Sequence, residues 1–458
     1  MTHTGIVRSP TVAGIVALVL GGETEAGEAA RRSLAAIEAT NAAVNAVVGF
    51  DPGVIEPQVA ALRARLEVGE RPSLAGVPVT VKDHIRVANW PVTQGSRLFE
   101  QEIASEDDLV VRRLRQAGAI LVGRTNMSEF GCKGVTTNRL FGPTRHPLDP
   151  SLTVGGSSGG AAASVAAGFV PLAIGSDGGG SARRPAAHCG IVGFKPSAGA
   201  IPEPRTLSQT GVLAPMGGCV EDVTRAFEAL RGRDARDPFS LDLPVDESAA
   251  YAPLRIAYAP SFGLPVPVDP DIRQAIRQAV ERIAGFGHRM EEASPVWPEG
   301  ADEAGLMPIQ HAALAFAHGD RWRRDPDLFD PDIAVQIEAG LSLPGADVAK
   351  ALALGTAIAG ITARFFASGF DLLIGPTTPC TAWPLDRLGP NRIDGVPVGP
   401  RAHAAFTPFF NHALCPAISI PAGRDRHGLP IGLQLVGPRL SDTRLLAVAA
   451  RVETLLAG

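Results

Sequence analysis

Two clusters of glycine and serine, GGSSGG at residues 155–160 and GSDGGGS at residues 175–181, have the clearest chemical potential in this sequence. Glycine inside a helix or strand costs roughly 0.5–1 kcal/mol relative to alanine, so such clusters need a physical reason. Serine can act as a nucleophile, and backbone N–H groups that no side chain shields can bind a developing oxyanion. Acyl transfer is therefore one hypothesis for these residues.

Two other interpretations of the clusters stay open at this point. Glycine-rich loops that open helices can bind phosphate, but neither GxxxxGK[ST] nor GxGxxG is present here, and no lysine follows GGSSGG. Tight turns beneath a close-packed sheet would also use glycine, without any chemistry. The acyl-transfer hypothesis differs from both because it requires a general base.

Lys82 is the candidate for that base. His84 and His188 are the histidines nearest to the motifs, but neither lies in an elbow or triad pattern, and GxSxG is missing around both clusters. Lys82 lies near the end of the apolar stretch GVPVTVKDHI at residues 76–85. Burial would lower its pKa toward neutrality, because desolvation disfavours the ammonium. Taken alone, a lysine at such a position is more often a solvated strand end.

Strands that alternate with helices are predicted to position these residues, which implies an α/β fold with a sheet covered on both faces. Ser105 is expected to cap the helix that stops at Gly118, with Asp108 and Arg112 paired at i, i+4. A strand and a helix are expected to close the chain. The other expected helices are 24–42 and 161–167, and the expected strands are 76–85, 119–122, 170–174 and 428–437.

Composition excludes several classes of function. The 458 residues are 45% apolar and 19% charged, with a formal net charge of -5 and no block of Lys or Arg, so no footprint for nucleic acid or an anionic membrane is present. The five cysteines are widely spaced without a CxxC pair, which suits a reducing cytoplasm and indicates no metal or redox centre. The apolar run VAGIVALVL from Val12 is too short to span a bilayer, and we expect a buried helix there.

A series of motifs resembles the amidase signature family of serine hydrolases: GVPVTVKDHI, GRTNMSEFG, FGPTRHPLD, GGSSGG, GSDGGGSARRPAAHCGIVGFKPSAG and GLPIGLQLVG. The resemblance is dense from about 76 to 200 and thinner at 25–50 and 371–450. It implies a single large α/β/α domain over residues 1–458, with a central mixed, twisted β-sheet and a catalytic core at 76–200. Residues 225–370 carry no motif of the family, and we expect a variable, mainly helical region on the substrate side.

That family uses a Ser-cisSer-Lys triad, and the resemblance assigns its roles to Lys82, Ser157 and Ser181. Ser181 would attack the amide carbonyl, Ser157 would relay its proton, and neutral Lys82 would accept that proton. The resemblance also implies a cis peptide bond before Ser157. No cofactor and no metal ion take part in this chemistry.

The resemblance further assigns the surroundings of the triad. One oxyanion-hole donor is worth about 3–4 kcal/mol in a serine hydrolase. Asp177 and Arg183 would form an ion pair that holds the glycine turn, and Ser158 would either hydrogen-bond within the site or cap the following helix. The expected oxyanion hole consists of the N–H groups of Gly178, Gly179, Gly180 and Ser181.

Four residues near the motifs differ from the family's common pattern. Val154 replaces a usual proline, Gly178 replaces a common Thr or Ile, and Ala161 replaces a common Ser, which affects turn rigidity and leaves the triad intact. Arg184 follows Arg183 directly, and its planar guanidinium would suit a carboxylate on the acyl side of the substrate. The alternative for Arg184 is a structural role.

The sequence thus predicts an amidase that hydrolyses the C–N bond of a small-molecule carboxamide to a carboxylic acid and ammonia or an amine. We expect a cytoplasmic homodimer that needs no nucleic acid and no membrane. One alternative is the amidase-type subunit of a glutamine-dependent tRNA amidotransferase, although PEPRTLSQTGVL replaces the pattern expected there after GFKPSAGAI. The other is a non-catalytic binding protein, which would be expected to have lost Lys82, Ser157 or Ser181.

Overall fold

A mixed β-sheet organises the residues that the computed structural model describes, which are 9–204, 210–245 and 253–457. The strands are β1 (Val47–Gly49), β2 (Pro78–Lys82), β3 (Ile120–Thr125), β4 (Leu172–Asp177), β5 (Val192–Lys195), β6 (Val212–Gly217), β7 (Arg255–Tyr258), β8 (Arg289–Glu292), β9 (Leu372–Pro376), β10 (Arg392–Ile393), β11 (Val396–Pro397), β12 (Ala417–Arg424) and β13 (Pro430–Val436). Eleven of them form one sheet in the order β1-β3-β2-β4-β6-β5-β12-β13-β9-β7-β8, while β10 and β11 form a small hairpin.

Helices flank this sheet, as the sequence predicted. They are α1 (Val12–Leu20), α2 (Glu28–Val44), α3 (Ile55–Glu67), α4 (Leu109–Gln116), α5 (Gly159–Ala166), α6 (Arg183–Cys189), α7 (Val220–Leu230), α8 (Pro270–Ala284), α9 (Glu303–Arg324), α10 (Pro331–Leu341), α11 (Gly345–Ala367), α12 (Pro408–His412) and α13 (Asp442–Ala457).

The strands at the centre of the sheet bring the two ends of the predicted site together. β2 pairs in parallel with β4, with Val81 opposite Ile174. Because the carboxyl ends of parallel strands meet at one edge, Lys82 and the turn after Asp177 lie at the same edge of the sheet. β2 is buried along its whole length, as expected for a strand with helices on both faces.

Helix α5 packs against β2 and β4 at unusually short range. Its sequence is GGAAASVA, and all of its residues are buried. An added Cβ at Gly160 would lie 2.7 Å from the carbonyl oxygen of Ala46. Small residues therefore allow the helix that follows GGSS to lie close to the sheet.

One local prediction was wrong, because Ser105 does not cap a helix. Helix α4 begins at Leu109, with Asp108 in the preceding position. Asp108 Oδ2 accepts a hydrogen bond from the N–H of Arg86 at 2.8 Å, and Arg112 pairs with Glu106 instead. The acidic residues before α4 thus bind the chain after β2, and this holds residues 105–108 outside the helix.

The region at residues 225–370 contributes strands as well as helices. It contains α8, α9, α10 and α11, as the sequence predicted. β7 pairs in parallel with β9 and β8, so this region also extends the main sheet at one edge. The stretch 246–252, part of one of its proline-rich interruptions, lies outside the described residues.

Helix α11 was not singled out in the sequence. In the described part of the chain it is the one helix long and apolar enough to cross a membrane, by length and composition alone, and 22% of its most apolar stretch is buried. It packs against α9 and α12, with Gly355, Ile358 and Phe366 among its buried residues. The N-terminal apolar run forms α1, which buries Val12 and Ile15 as expected.

Candidate active site

Lys82 ends β2, and its side chain is completely buried. Its Nζ lies 2.8 Å from Ser157 Oγ and 2.9 Å from Ser158 Oγ. A third hydroxyl, Ser176 Oγ, lies 2.9 Å from the same nitrogen. The lysine and the serine that the sequence pairs as base and relay are therefore hydrogen-bonded to each other, and Lys82 is not a solvated strand end.

The surroundings of Lys82 favour its neutral form. Burial lowers the pKa of Lys82 to about 7, and the negative charge of Asp177 opposes this shift only in part. Burial and the neighbouring Lys82 charge lower the pKa of His84 to about 3. Lys82 is thus the stronger base of the two and can accept a proton near neutral pH.

Ser157 lies where the chain turns into α5. The peptide bond between Gly156 and Ser157 is cis, as the resemblance implied. An added Cβ at Gly156 would lie 2.8 Å from the backbone of Val135, so only glycine fits at this close approach. The segment at residues 134–135 therefore packs directly against the residue before the relay serine.

Ser181 follows the glycine turn after β4 and is 8% exposed. Its carbonyl oxygen accepts a hydrogen bond from the N–H of Ser158 at 3.0 Å. The structure thus brings Ser181 to the segment that carries Ser157. Within the described residues, however, no hydrogen bond joins the Ser181 and Ser157 hydroxyls, so the proton transfer between them stays a prediction.

The glycine turn contains backbone N–H groups of two kinds. The N–H of Gly180 donates to Asp177 Oδ1 at 2.7 Å, so it is not available to an oxyanion, contrary to the sequence analysis. The N–H groups of Gly178, Gly179 and Ser181 make no hydrogen bond within the described residues. These three groups are the candidate oxyanion donors, because backbone N–H groups in native structures usually have a partner.

Asp177 and Arg183 form a bidentate ion pair in which both side chains are completely buried. Arg183 Nε donates to Asp177 Oδ2 at 2.9 Å, and Arg183 Nη2 donates to Asp177 Oδ1 at 2.8 Å. Burial alone would raise the pKa of Asp177, but the Arg183 charge and hydrogen bonds hold it well below its usual range. Gln434 and Asn411 accept from the same guanidinium at 2.7 and 2.6 Å. The pair thus ties the glycine turn to the C-terminal part of the chain.

Arg184 lies on the other side of the relay segment and is 5% exposed. Its Nη2 donates to the carbonyl oxygen of Gly156 at 3.3 Å. Its positive charge contributes to lowering the pKa of His188 and of His403, after burial, which is the larger cause for each. The contact with Gly156 fits the structural alternative for Arg184, and its role in binding an acidic substrate stays a prediction.

A short loop at residues 131–133, the wall loop, lies beside Ser157. An added Cβ at Gly131 would lie 3.4 Å from Ser157 Oγ. The next carbonyl along the chain, that of Cys132, accepts hydrogen bonds from Gln310 Nε2 at 3.2 Å and from Gln336 Nε2 at 3.3 Å. Two helices, α9 and α10, thus hold the loop that faces the relay serine.

The sequence analysis missed several of these residues. Ser176 was not singled out, although a serine next to Asp177 in an otherwise apolar strand is a usable signal. Gln310 and Gln336 gave no signal, because residues 225–370 match no motif. Ser158 was expected either in the site or as a cap, and its hydroxyl makes no capping bond to α5.

Taken together, the site contains the parts that acyl transfer requires. It has a serine hydroxyl on a turn with unoccupied N–H groups, and a buried amine hydrogen-bonded to a second serine. Among the described residues, no group of three or more His, Cys, Asp or Glu side chains is arranged to hold a metal ion.

Comparison with known proteins identifies the class. The family model described as Amidase matches residues 28–446, so the chain belongs to the amidase family. Acylamidase of Rhodococcus erythropolis is 33% identical over 452 residues, which cover 96% of this chain and 94% of that protein. A glutamyl-tRNA(Gln) amidotransferase subunit of Acidothermus cellulolyticus is 35% identical over 483 residues, which cover 97% of this chain and 94% of that protein.

A solved structure agrees with this classification. A bacterial aryl acylamidase of the amidase signature family matches with a TM-score of 0.90 at 28% identity, covering 98% of this chain and 96% of that one. The predicted family and α/β fold are therefore confirmed. The protein is an amidase signature enzyme, a hydrolase that acts on C–N amide bonds.

Proposed function

We propose that this enzyme hydrolyses a small-molecule carboxamide through an acyl-enzyme on Ser181. The observation that carries the proposal is the 2.8 Å hydrogen bond between the buried Lys82 amine and Ser157 Oγ. It joins a base that is largely neutral near pH 7 to a hydroxyl on the segment that contacts Ser181. A serine nucleophile needs this kind of activation, because its free pKa makes it a weak nucleophile.

The first half of the reaction acylates the enzyme. Ser181 Oγ attacks the amide carbonyl carbon as its proton passes to Ser157, and the proton of Ser157 passes to Lys82 Nζ. The N–H groups of Gly178, Gly179 and Ser181 bind the oxyanion that forms on the carbonyl oxygen. The ammonium of Lys82 then returns a proton through Ser157 to the leaving nitrogen, and the C–N bond breaks.

The second half of the reaction releases the acid. Water attacks the acyl carbon, and the same relay removes its proton, so that Lys82 becomes an ammonium again. Collapse of the second tetrahedral intermediate breaks the bond to Ser181 Oγ, and a proton returns to that oxygen. The products are a carboxylic acid and ammonia or an amine, and no cofactor is consumed.

The geometry of Asp177 and Arg183 supports a role in holding the oxyanion turn in place. Asp177 accepts hydrogen bonds from the N–H groups of Gly180, Ala182 and Arg183. These contacts leave the neighbouring N–H groups directed away from Asp177. Preorganised donors of this kind need no reorganisation at the moment of reaction.

Turnover by the purified chain tests this function. The panel contains primary amides, aryl amides, ureido acids and amino-acid amides, with release of ammonia or amine as the readout and no ATP present. The aryl amides have priority, because two similar proteins are an acylamidase and an aryl acylamidase. Hydrolysis of at least one amide supports the proposal, and its loss in Ser181→Ala assigns the nucleophile.

A second candidate function is that of an amidase-type subunit in a glutamine-dependent tRNA amidotransferase. The 35% identity to a protein of that kind over 97% of the chain favours it as a candidate. Such a chain would work in a complex that passes ammonia onward. It would show little glutamine hydrolysis alone and a strong increase with partner proteins, whereas the hydrolase needs no partner.

We also propose a cytoplasmic homodimer that binds neither nucleic acid nor membrane. The free cysteines, Cys132, Cys189, Cys219, Cys380 and Cys415, support a reducing compartment. Light scattering coupled to size-exclusion chromatography measures the mass in solution. A mass equal to one chain, with activity retained, contradicts the dimer.

A further inference from the structure

Three serine hydroxyls surround the amine of Lys82, and one of them has no role in the triad. Ser157 and Ser158 come from the GGSS segment, whereas Ser176 comes from β4. Ser176 Oγ lies 2.9 Å from Lys82 Nζ. Its backbone is fixed, because Ser176 pairs with Leu213 in β6.

The hydroxyl of Ser158 can only accept from Lys82. A serine hydroxyl has one proton to donate and two lone pairs that accept. Ser158 Oγ donates its proton to the carbonyl oxygen of Ser176 at 2.9 Å and accepts from the Ser176 N–H at 3.2 Å. One N–H of Lys82 is therefore committed to Ser158.

The remaining contacts decide where the lone pair of neutral Lys82 points. A neutral amine has two N–H groups and one lone pair. If Ser176 accepts the second N–H, the lone pair is left facing Ser157, which can then donate its proton. Without the Ser176 hydroxyl, the second N–H can turn to Ser157, and the lone pair then has no proton to receive.

We propose that Ser176 is a positioning residue that orients the Lys82 amine, so that its lone pair faces Ser157. This inference rests on the proposed function, in which Lys82 is the base. Ser176 Oγ makes no other hydrogen bond within the described residues, and Lys82 is fully buried. The other titratable groups whose charges act on Lys82 or respond to it are Asp177, Cys132, Glu203 and His84.

The test compares Ser176→Ala and Ser176→Thr with Ser164→Ala as the matched control. Ser164 is a buried serine of α5 whose hydroxyl contacts Thr80 rather than Lys82. We expect Ser176→Ala to lower kcat about 10- to 100-fold, the scale of one hydrogen bond to a charged group, with KM changed less than about twofold. Ser176→Thr restores activity because it keeps the hydroxyl, and Ser164→Ala stays near the wild type.

A pH profile separates orientation from general damage. The ammonium of Lys82 uses all three hydroxyls as acceptors, so the loss of Ser176 destabilises it more than the neutral amine, whose two N–H groups still find Ser157 and Ser158. The acid limb of kcat/KM should therefore move to lower pH in Ser176→Ala. A loosened site that admits water would move it to higher pH, and either that shift or an unchanged kcat overturns the proposal.

A readout without turnover keeps this inference distinct from the proposed function. The chain has four lysines, Lys82, Lys133, Lys195 and Lys350, so NMR of isotope-labelled lysine can follow Lys82 directly, with Lys82→Met for assignment. A lower pKa of Lys82 in Ser176→Ala supports the hydrogen-bonding argument even if no amide is hydrolysed. If an amide is hydrolysed and the pKa does not fall, the positioning role is wrong and the amidase function stands.

Discussion

Lys133 Nζ lies 2.6 Å from Asp330 Oδ2, and both side chains are almost completely buried. The pair joins the wall loop beside Ser157 to the residue that precedes α10. The N–H of Asp330 also donates to Glu129 Oε2 at 2.7 Å. The wall loop and the helical region are thus connected by charge and by backbone contacts.

Asp330→Asn should weaken this connection. We expect the free energy of unfolding to fall by about 1–3 kcal/mol, since removing one partner of a buried ion pair is destabilising and Asp332 still pairs with Lys133. Urea unfolding followed by circular dichroism measures the change. Asp320→Asn is the control, because that side chain is 90% exposed, and equal stability of the two variants would contradict a structural role for the pair.

Ser181→Ala should abolish amide hydrolysis and leave the fold intact. The reason is that no other hydroxyl in the site lies on the glycine turn with unoccupied N–H groups among the described residues. A phosphonofluoridate-type probe should label Ser181, with the labelled peptide identified by mass spectrometry. Ser342→Ala, an exposed serine of another region, serves as the control. Labelling at Ser157 or Ser158, with Ser181→Ala still active, would refute the assignment.

The activity should rise with pH through about 7, the value to which burial lowers the pKa of Lys82. The base is neutral above that pKa and protonated below it, so kcat/KM falls as the pH drops through this value. Measurements between about pH 5 and 9 check this limb, which should fall about tenfold for each pH unit below the pKa.

Replacing the base gives an independent check of the same prediction. Lys82→Arg should stay inactive, because a guanidinium remains protonated. Lys350→Arg, at an exposed position of α11, should behave as the wild type. A flat profile across the range, with chemistry shown to limit the rate, would argue against a lysine base.

Arg184→Ala should raise KM for anionic amides about 10- to 100-fold and spare neutral ones, if Arg184 binds an acidic acyl group. Arg184→Gln separates the two roles, since its amide can still donate to the Gly156 carbonyl while the charge is gone. Steady-state kinetics on matched acidic and neutral amides provide the measurement. Wild-type selectivity in Arg184→Gln, or equal weakening of both substrate classes in Arg184→Ala, would show a structural role.

Local patterns were sufficient for the catalytic centre. An apolar strand that ends in Lys82 and two glycine-serine clusters specify strand, turn and helix by propensity and steric rules alone. Element limits were less well predicted, because contacts from distant residues decide them. Asp108 shows this: it binds the N–H of Arg86, and α4 therefore begins four residues after Ser105.

Hydrogen-bond partners were the part that the sequence could not provide. Gly180 was expected as an oxyanion donor, but the conformation of the turn directs its N–H to Asp177. The contact between Gln310 and the Cys132 carbonyl spans 178 positions, and no local pattern encodes it. Such contacts depend on tertiary packing, which a single sequence does not display.

The glutamine contacts on the wall loop have a consequence for how this enzyme could be diversified. Gln310 and Gln336 bind a main-chain carbonyl, so these contacts do not depend on the side chain at Cys132. Position 132 and the outward residues of α9 can therefore vary while the loop keeps its course. A mutant library that fixes both glutamines and randomises their neighbours should yield altered amide preference far more often than loss of activity, which would make the helices at 303–341 an exchangeable cassette.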